Sequence, residues 1–125
     1  MELTGQRSGR NRWLALSAAL ATAAVLFIDV CDTIFACGCH SLWNGAAAAC
    51  NIHNAGPPHC PWCQHPTAGV VAFFAVAAAQ AAVVFWPGRL GLWARLGLAI
   101  AALPLVGGAV GLLQGWLWGY FLWPG

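Results

Sequence analysis

Lysine is absent from this chain, and charged residues of every kind make up only 6% of it. A soluble domain of this size needs a charged surface, commonly about a quarter Asp, Glu, Lys and Arg. The shortage excludes an ordinary soluble globular fold and points to an integral membrane protein built as one domain. The five basic residues, all arginine, are split between two short segments. They form no patch of the kind that binds nucleic acid.

A second absence sets the orientation. No Arg occurs between Trp13 and Gly88. Arg7, Arg10 and Arg12 precede the first apolar run, and Arg89 and Arg95 lie between the second and the third. Basic residues concentrate in cytoplasmic loops. This places the N-terminus and the 87–95 turn inside and the stretch between the first two runs outside, as in a bacterial inner-membrane protein.

Three apolar runs are long enough to cross a bilayer, which takes roughly 20 residues in a helix. A basic tail over 1–12 leads into a span over 13–36. Asp29 and Asp32 separate its apolar core from Cys37, and Phe35 is bulky where a processing site needs a small residue, so the span is expected to be retained rather than cleaved. The second span covers 67–86, entered through Pro66 and ended by Pro87-Gly88. An inner turn over 87–95 leads to the third span, 96–120, followed by an outer tail over 121–125. Pro104 is expected to kink the third span rather than end it. Gln80 is expected to bond to a neighbouring helix. Gly107, Gly111, Gly115 and Gly119 recur every four residues and form a stripe that lets another backbone approach closely. Its partner is either this chain's own Ala-rich helices, a second copy, or another membrane subunit. Trp13, Trp86 and Trp93 mark one interface, and Trp116, Trp118 and Trp123 the other.

The outer loop, 37–66, holds the chemistry. With Cys31 just before it, the segment 31–65 contains all six cysteines and all four histidines of the chain. Asn44-Gly45 and Gly56-Pro57-Pro58 are turn signals, so the loop is expected to be irregular and held by cross-links or metal. Zinc and copper sites draw Cys and His from close sequence clusters. Cys37-Gly-Cys39-His40 supplies such donors, as do Cys50-Asn-Ile-His53 and His59-Cys60-Pro-Trp-Cys63-Gln-His65. The candidate metal ligands are therefore Cys37, Cys39, His40, Cys50, His53, His59, Cys60, Cys63 and His65, for a copper or zinc ion. Asp29 and Asp32, three apart near the outer end of the first span, share a face and are candidates to support the ligands from behind.

Two other readings compete. In an oxidising compartment an even number of cysteines allows three structural disulfides, with fifteen possible pairings. Alternatively, Cys60-Pro-Trp-Cys63 resembles the Cys-x-x-Cys of thiol–disulfide oxidoreductases. Membrane-embedded disulfide-generating enzymes of the quinone-linked and vitamin-K-epoxide-reductase types also set Cys pairs beside helices at the outer face. That resemblance implies catalysis by Cys60 and Cys63, with a thiolate favoured by a neighbouring His or a helix N-terminus. It covers the Cys-x-x-Cys and the general layout, and those families use four helices where three are counted here. Covalent haem wants Cys-x-x-Cys-His, which neither cysteine pair provides.

The sequence thus predicts an all-α integral membrane protein, with three transmembrane helices and an irregular Cys/His-rich extracytoplasmic loop between the first two. The expected function is binding of a transition metal, for metal handling or as an accessory subunit of a membrane complex. Three short helices give no argument for a substrate pocket, so a stand-alone enzyme is the lesser expectation.

Overall fold

A computed structural model describes residues 2–53, 55 and 59–120. The expected outer tail over 121–125 and the turn at 56–58 fall outside these residues. The protein is all-α, and three of its helices are long and apolar enough to cross a membrane: Gly9–Phe35, Pro66–Val84 and Leu92–Leu117. The first belongs to a longer helix, α1, Glu2–Phe35. The basic tail therefore continues the helix instead of preceding it, since no proline interrupts the backbone before the apolar run. A short helix α2, Pro61–Gln64, ends the loop and leads into α3, Pro66–Val84. The last long helix, α4, is Leu92–Leu117. Pro104 lies inside α4, and the helix stays continuous across it.

Each long helix turns a four-residue stripe inward. On α1 the buried positions are Ala15, Ala19, Ala23, Cys31 and Phe35, joined by Leu16, with Phe27 packed between them. On α3 they are Ala68, Ala72, Val76, Gln80 and Val84. On α4 they are Arg95, Ala99, Leu103, Gly107, Gly111 and Gly115, joined by Ala102. Positions four apart share one face of a helix, and small residues there bring the axes close. The glycine stripe faces the chain's own helices. A Cβ on Gly107 would meet Val30 Cγ1 and Val76 Cγ2, each at 3.5 Å. A Cβ on Gly111 would lie 2.9 Å from Ile34 Cδ1 and 3.2 Å from Trp62 Cζ2, closer than side-chain atoms settle. Gly119 lies beyond α4 with a left-handed φ of 68°. Large apolar side chains such as Leu14, Val71, Phe74, Leu105 and Leu112 point outward, as a bilayer requires.

Two buried polar side chains tie the bundle together away from the loop. Gln80 is fully buried, and its Nε2 donates to the carbonyls of Ala19 on α1, at 3.2 Å, and Ala99 on α4, at 3.0 Å. Arg95 is 4% exposed, and its guanidinium donates to the carbonyls of Val84, Trp86, Gly88 and Leu90. These carbonyls lie at the C-terminus of α3 and in the turn after it, where helix carbonyls lack intrahelical partners. A guanidinium has five donors in a rigid fork and serves several of them at once. It fixes the turn between α3 and α4 at the end of the bundle opposite the cysteines.

Candidate metal centre

The loop is built from short turns rather than from a core of its own. The chain leaves α1 through Ala36, whose φ of 47° is left-handed. Gly38, with φ of 82°, then turns the backbone between Cys37 and Cys39, a conformation glycine adopts without steric cost. The two carboxylates near the end of α1 receive this turn. Asp32 Oδ1 accepts the Gly38 N–H at 3.0 Å, and Asp29 Oδ1 accepts the Ser41 hydroxyl. Single turns of 3-10 helix follow at Leu42–Asn44, Ala46–Ala49 and Asn51–His53.

Asn51 joins the pieces. Its backbone N–H donates to the Cys37 carbonyl at 2.6 Å, and its side-chain Oδ1 accepts the Cys60 N–H at 2.6 Å. Its Nδ2 donates to the Tyr120 hydroxyl at 2.9 Å, and that hydroxyl donates to the Phe35 carbonyl at 2.6 Å. One side chain thus holds the 37–39 turn, the start of α2 and the residue after α4 in register. Burial raises the Tyr120 pKa above its ordinary value, which keeps the hydroxyl a donor. Trp62 provides the second anchor. Its ring stacks on Phe27 with centroids 4.6 Å apart, and its Nε1 donates to Gln114 Oε1 at 2.6 Å. Gln114 Nε2 then donates to the Ala68 carbonyl.

These restraints gather all six cysteines at one end of the bundle. Cys39 and Cys50 form a disulfide, and Cys31, Cys37, Cys60 and Cys63 are free. Cys31 Sγ lies 3.4 Å from Cys37 Sγ and 3.2 Å from Cys60 Sγ. Cys63 Sγ lies 3.8 Å from Cys39 Sγ. Three groups of sulfurs have all their members within 4.8 Å of one another: Cys31, Cys37 and Cys60; Cys31, Cys39 and Cys63; and Cys37, Cys39 and Cys50. Only the first consists wholly of free thiols able to hold a metal ion with the disulfide closed. With a metal–sulfur bond of about 2.3 Å, as in zinc thiolates, sulfurs around a three-coordinate ion stand roughly 4 Å apart. The observed spacings of 3.4 and 3.2 Å need an opening of roughly 0.6 to 0.8 Å to reach that.

The electrostatics are those of thiols sharing protons. The Cys31 thiol beside it, then Cys60, holds the Cys37 pKa down to about 3. Backbone N–H groups of Cys39 and Cys37 add to this against the cost of burial. Cys63 is likewise held down to about 3, first by Cys31 and then by Cys60, with the positive potential of His53 assisting. At Cys60 the contact with Cys31 favours the thiolate, but contacts with Cys37 and Cys63 and burial outweigh it and push the thiol up. The site favours some thiolates while the remaining thiols share their charge.

The candidate ligands read from the sequence divide cleanly. Cys37, Cys39, Cys50, Cys60 and Cys63 come together. Among the described residues the metal-holding groups contain sulfur alone, and no imidazole joins them. His65 stacks on Trp118 with centroids 4.9 Å apart. His40 and His53 are exposed. His59 is half-buried, and its Nδ1 is buried without a hydrogen-bond partner. Asp29 and Asp32 serve the loop backbone and Ser41. The residue missed is Cys31, which shares two of the three sulfur groups. Its signal was available: it continues the inward stripe of Ala15, Ala19 and Ala23 at four-residue spacing. The chain matches no protein-family model, no curated protein and no solved structure.

Proposed function

We propose that this protein binds a soft transition-metal ion through the thiolates of Cys31, Cys37 and Cys60, with Cys63 beside them. It would serve metal handling in the membrane or a larger membrane complex. The observation that carries the reading is that these three sulfurs are free, buried and mutually close. Soft thiolate ligands select Cu(I), zinc or iron–sulfur clusters. Zinc prefers four ligands in a tetrahedron, whereas the one group made wholly of free thiols contains three sulfurs, which favours Cu(I). The arginine distribution supports an extracytoplasmic position for this end of the bundle. Thiols there oxidise unless protected, and a bound ion supplies that protection.

The test is metal analysis of detergent-purified protein together with a count of free thiols after metal removal. The reading requires a near-integral ratio of metal to protein and four alkylatable cysteines. Metal-free protein with all six sulfurs oxidised would instead support a purely structural cross-linked loop.

One observation favours a second reading. Cys63 is the one partly exposed cysteine, and its sulfur lies 3.8 Å from the Cys39–Cys50 disulfide. A thiolate there is placed for thiol–disulfide exchange, the oxidoreductase chemistry suggested by Cys60-Pro-Trp-Cys63. Under that reading, Cys63→Ser abolishes exchange with a thiol probe and the purified protein carries no metal.

A further inference from the structure

The three sulfur groups overlap in a specific way. Cys31 belongs to the first and second, Cys37 to the first and third, and Cys39 to the second and third. Each remaining cysteine belongs to one group: Cys60 to the first, Cys63 to the second and Cys50 to the third. Every group therefore contains two shared sulfurs and one unshared. This is the connectivity of a ring in which three-coordinate ions alternate with bridging thiolates, each ion carrying one terminal thiolate. Thiolate sulfur has lone pairs enough to bridge two soft ions.

We propose that reduction of the Cys39–Cys50 disulfide turns the site into a three-ion Cu(I)–thiolate cluster, bridged by Cys31, Cys37 and Cys39 and closed by Cys50, Cys60 and Cys63. The inference rests on the reading that Cys31, Cys37 and Cys60 hold one soft ion. In the oxidised protein only that group is complete, because the other two need Cys39 as a thiolate. A dithiol reductant supplies the missing ligands. It gives two electrons and two protons to the Cys39–Cys50 bond and becomes a disulfide itself, leaving two thiols on this chain. The cysteines still protonated then release their protons to solvent as the three Cu(I) ions bind. Capacity is thereby linked to redox state: one ion with the disulfide closed, three with it open. Burial of Cys31, Cys37, Cys39, Cys50 and Cys60 keeps water away from bound Cu(I), and the partly exposed Cys63 provides the way in.

Native mass spectrometry of the full chain in detergent micelles tests this, with Cu(I) supplied from its bicinchoninate complex. The disulfide-closed protein should carry one copper. Protein treated with a water-soluble phosphine should carry three, a threefold rise that needs no substitution. Under the same reducing conditions, Cys50→Ser should carry two, because one group is lost. Cys39→Ser should carry one, because two are lost. Reduced wild-type protein that stays at one copper overturns the cluster and leaves the one-ion site standing. No copper in either redox state overturns both.

Discussion

The sulfur of Cys31, inside the first membrane helix, lies 3.2 Å from the sulfur of Cys60, which opens the short helix at the end of the loop. Their separation of 29 residues makes this contact a product of the whole fold. Cys31 is fixed by the inward stripe of α1. Cys60 is fixed by Asn51 and by the docking of Trp62 against Phe27 and Gln114. The site is therefore held by the packing of the bundle end.

Cys31→Ser should accordingly do more harm to metal binding than loss of any imidazole. Partners that only orient a metal ligand cost about 10–100-fold in affinity when removed, and a shared ligand has to cost more than that. His40→Ala and His65→Ala should leave Cu(I) affinity within a few-fold of wild type. Competition with a chromophoric Cu(I) chelator measures all three variants. A loss for His40→Ala as large as that for Cys31→Ser would show that imidazole shares the ion with sulfur and would contradict the all-sulfur site.

Asn51→Ala removes the acceptor for the Cys60 N–H and the donor to Tyr120. A buried group left without its partner costs about 1–3 kcal/mol, so the apo-protein should unfold earlier in a detergent thermal melt. Metal affinity should drop as well, because the 37–39 turn and Cys60 lose their common tie. Tyr120→Phe keeps the ring contact with Phe35, whose centroid is 5.4 Å away, and should show a smaller loss in the same direction.

The glycine stripe makes a graded prediction. Gly107→Ala places its new methyl at ordinary contact distance from Val30 and Val76 and should change stability little. Gly111→Ala drives a methyl into Ile34 and Trp62. Ile34 can turn away, but Trp62 is held by its hydrogen bond to Gln114. Overpacking of this kind costs about 1–3 kcal/mol, and displacement of Trp62 should weaken metal binding too. Trp fluorescence and a thermal melt of both variants check it.

Reactivity should separate the free cysteines in metal-free protein with the Cys39–Cys50 disulfide closed. Cys63 has its pKa lowered to about 3, so it is a thiolate throughout the usual range. Its alkylation rate should be nearly level between about pH 5 and pH 8, where an ordinary thiol with pKa near 8.5 accelerates steeply. Cys60, whose pKa is raised, should lag behind it at every pH. Peptide mapping after timed iodoacetamide treatment reads both sites. A steep rise for Cys63 across that range would contradict the shared-proton account.

Much of this was readable from residue order. Hydropathy located the three spans, because lipid leaves a helix few alternatives to an apolar surface. Four-residue spacing of Gly marked the face of the third span that packs. The sulfurs as a group were legible from their crowding into one loop. Direction was not. His59 adjoins Cys60 and His65 follows Cys63 by two residues, yet neither imidazole joins the sulfur groups; sequence adjacency does not fix the direction of a side chain. Cys31 looked like part of a span and not of the loop. Its role depends on the loop folding back over the end of α1. Asn51 carried no signal, since an asparagine in a polar loop is ordinary until its partners are in place. Asp29 and Asp32 were read correctly as sharing a face, but their partners proved to be Ser41 and the Gly38 N–H.

X-ray absorption at the metal edge, on copper-loaded protein with the Cys39–Cys50 disulfide intact, addresses the central claim most directly. An all-sulfur site predicts one copper per chain with a first shell of three sulfurs and no imidazole scattering beyond it. A first shell containing nitrogen, or copper bound well below one per chain, would contradict it.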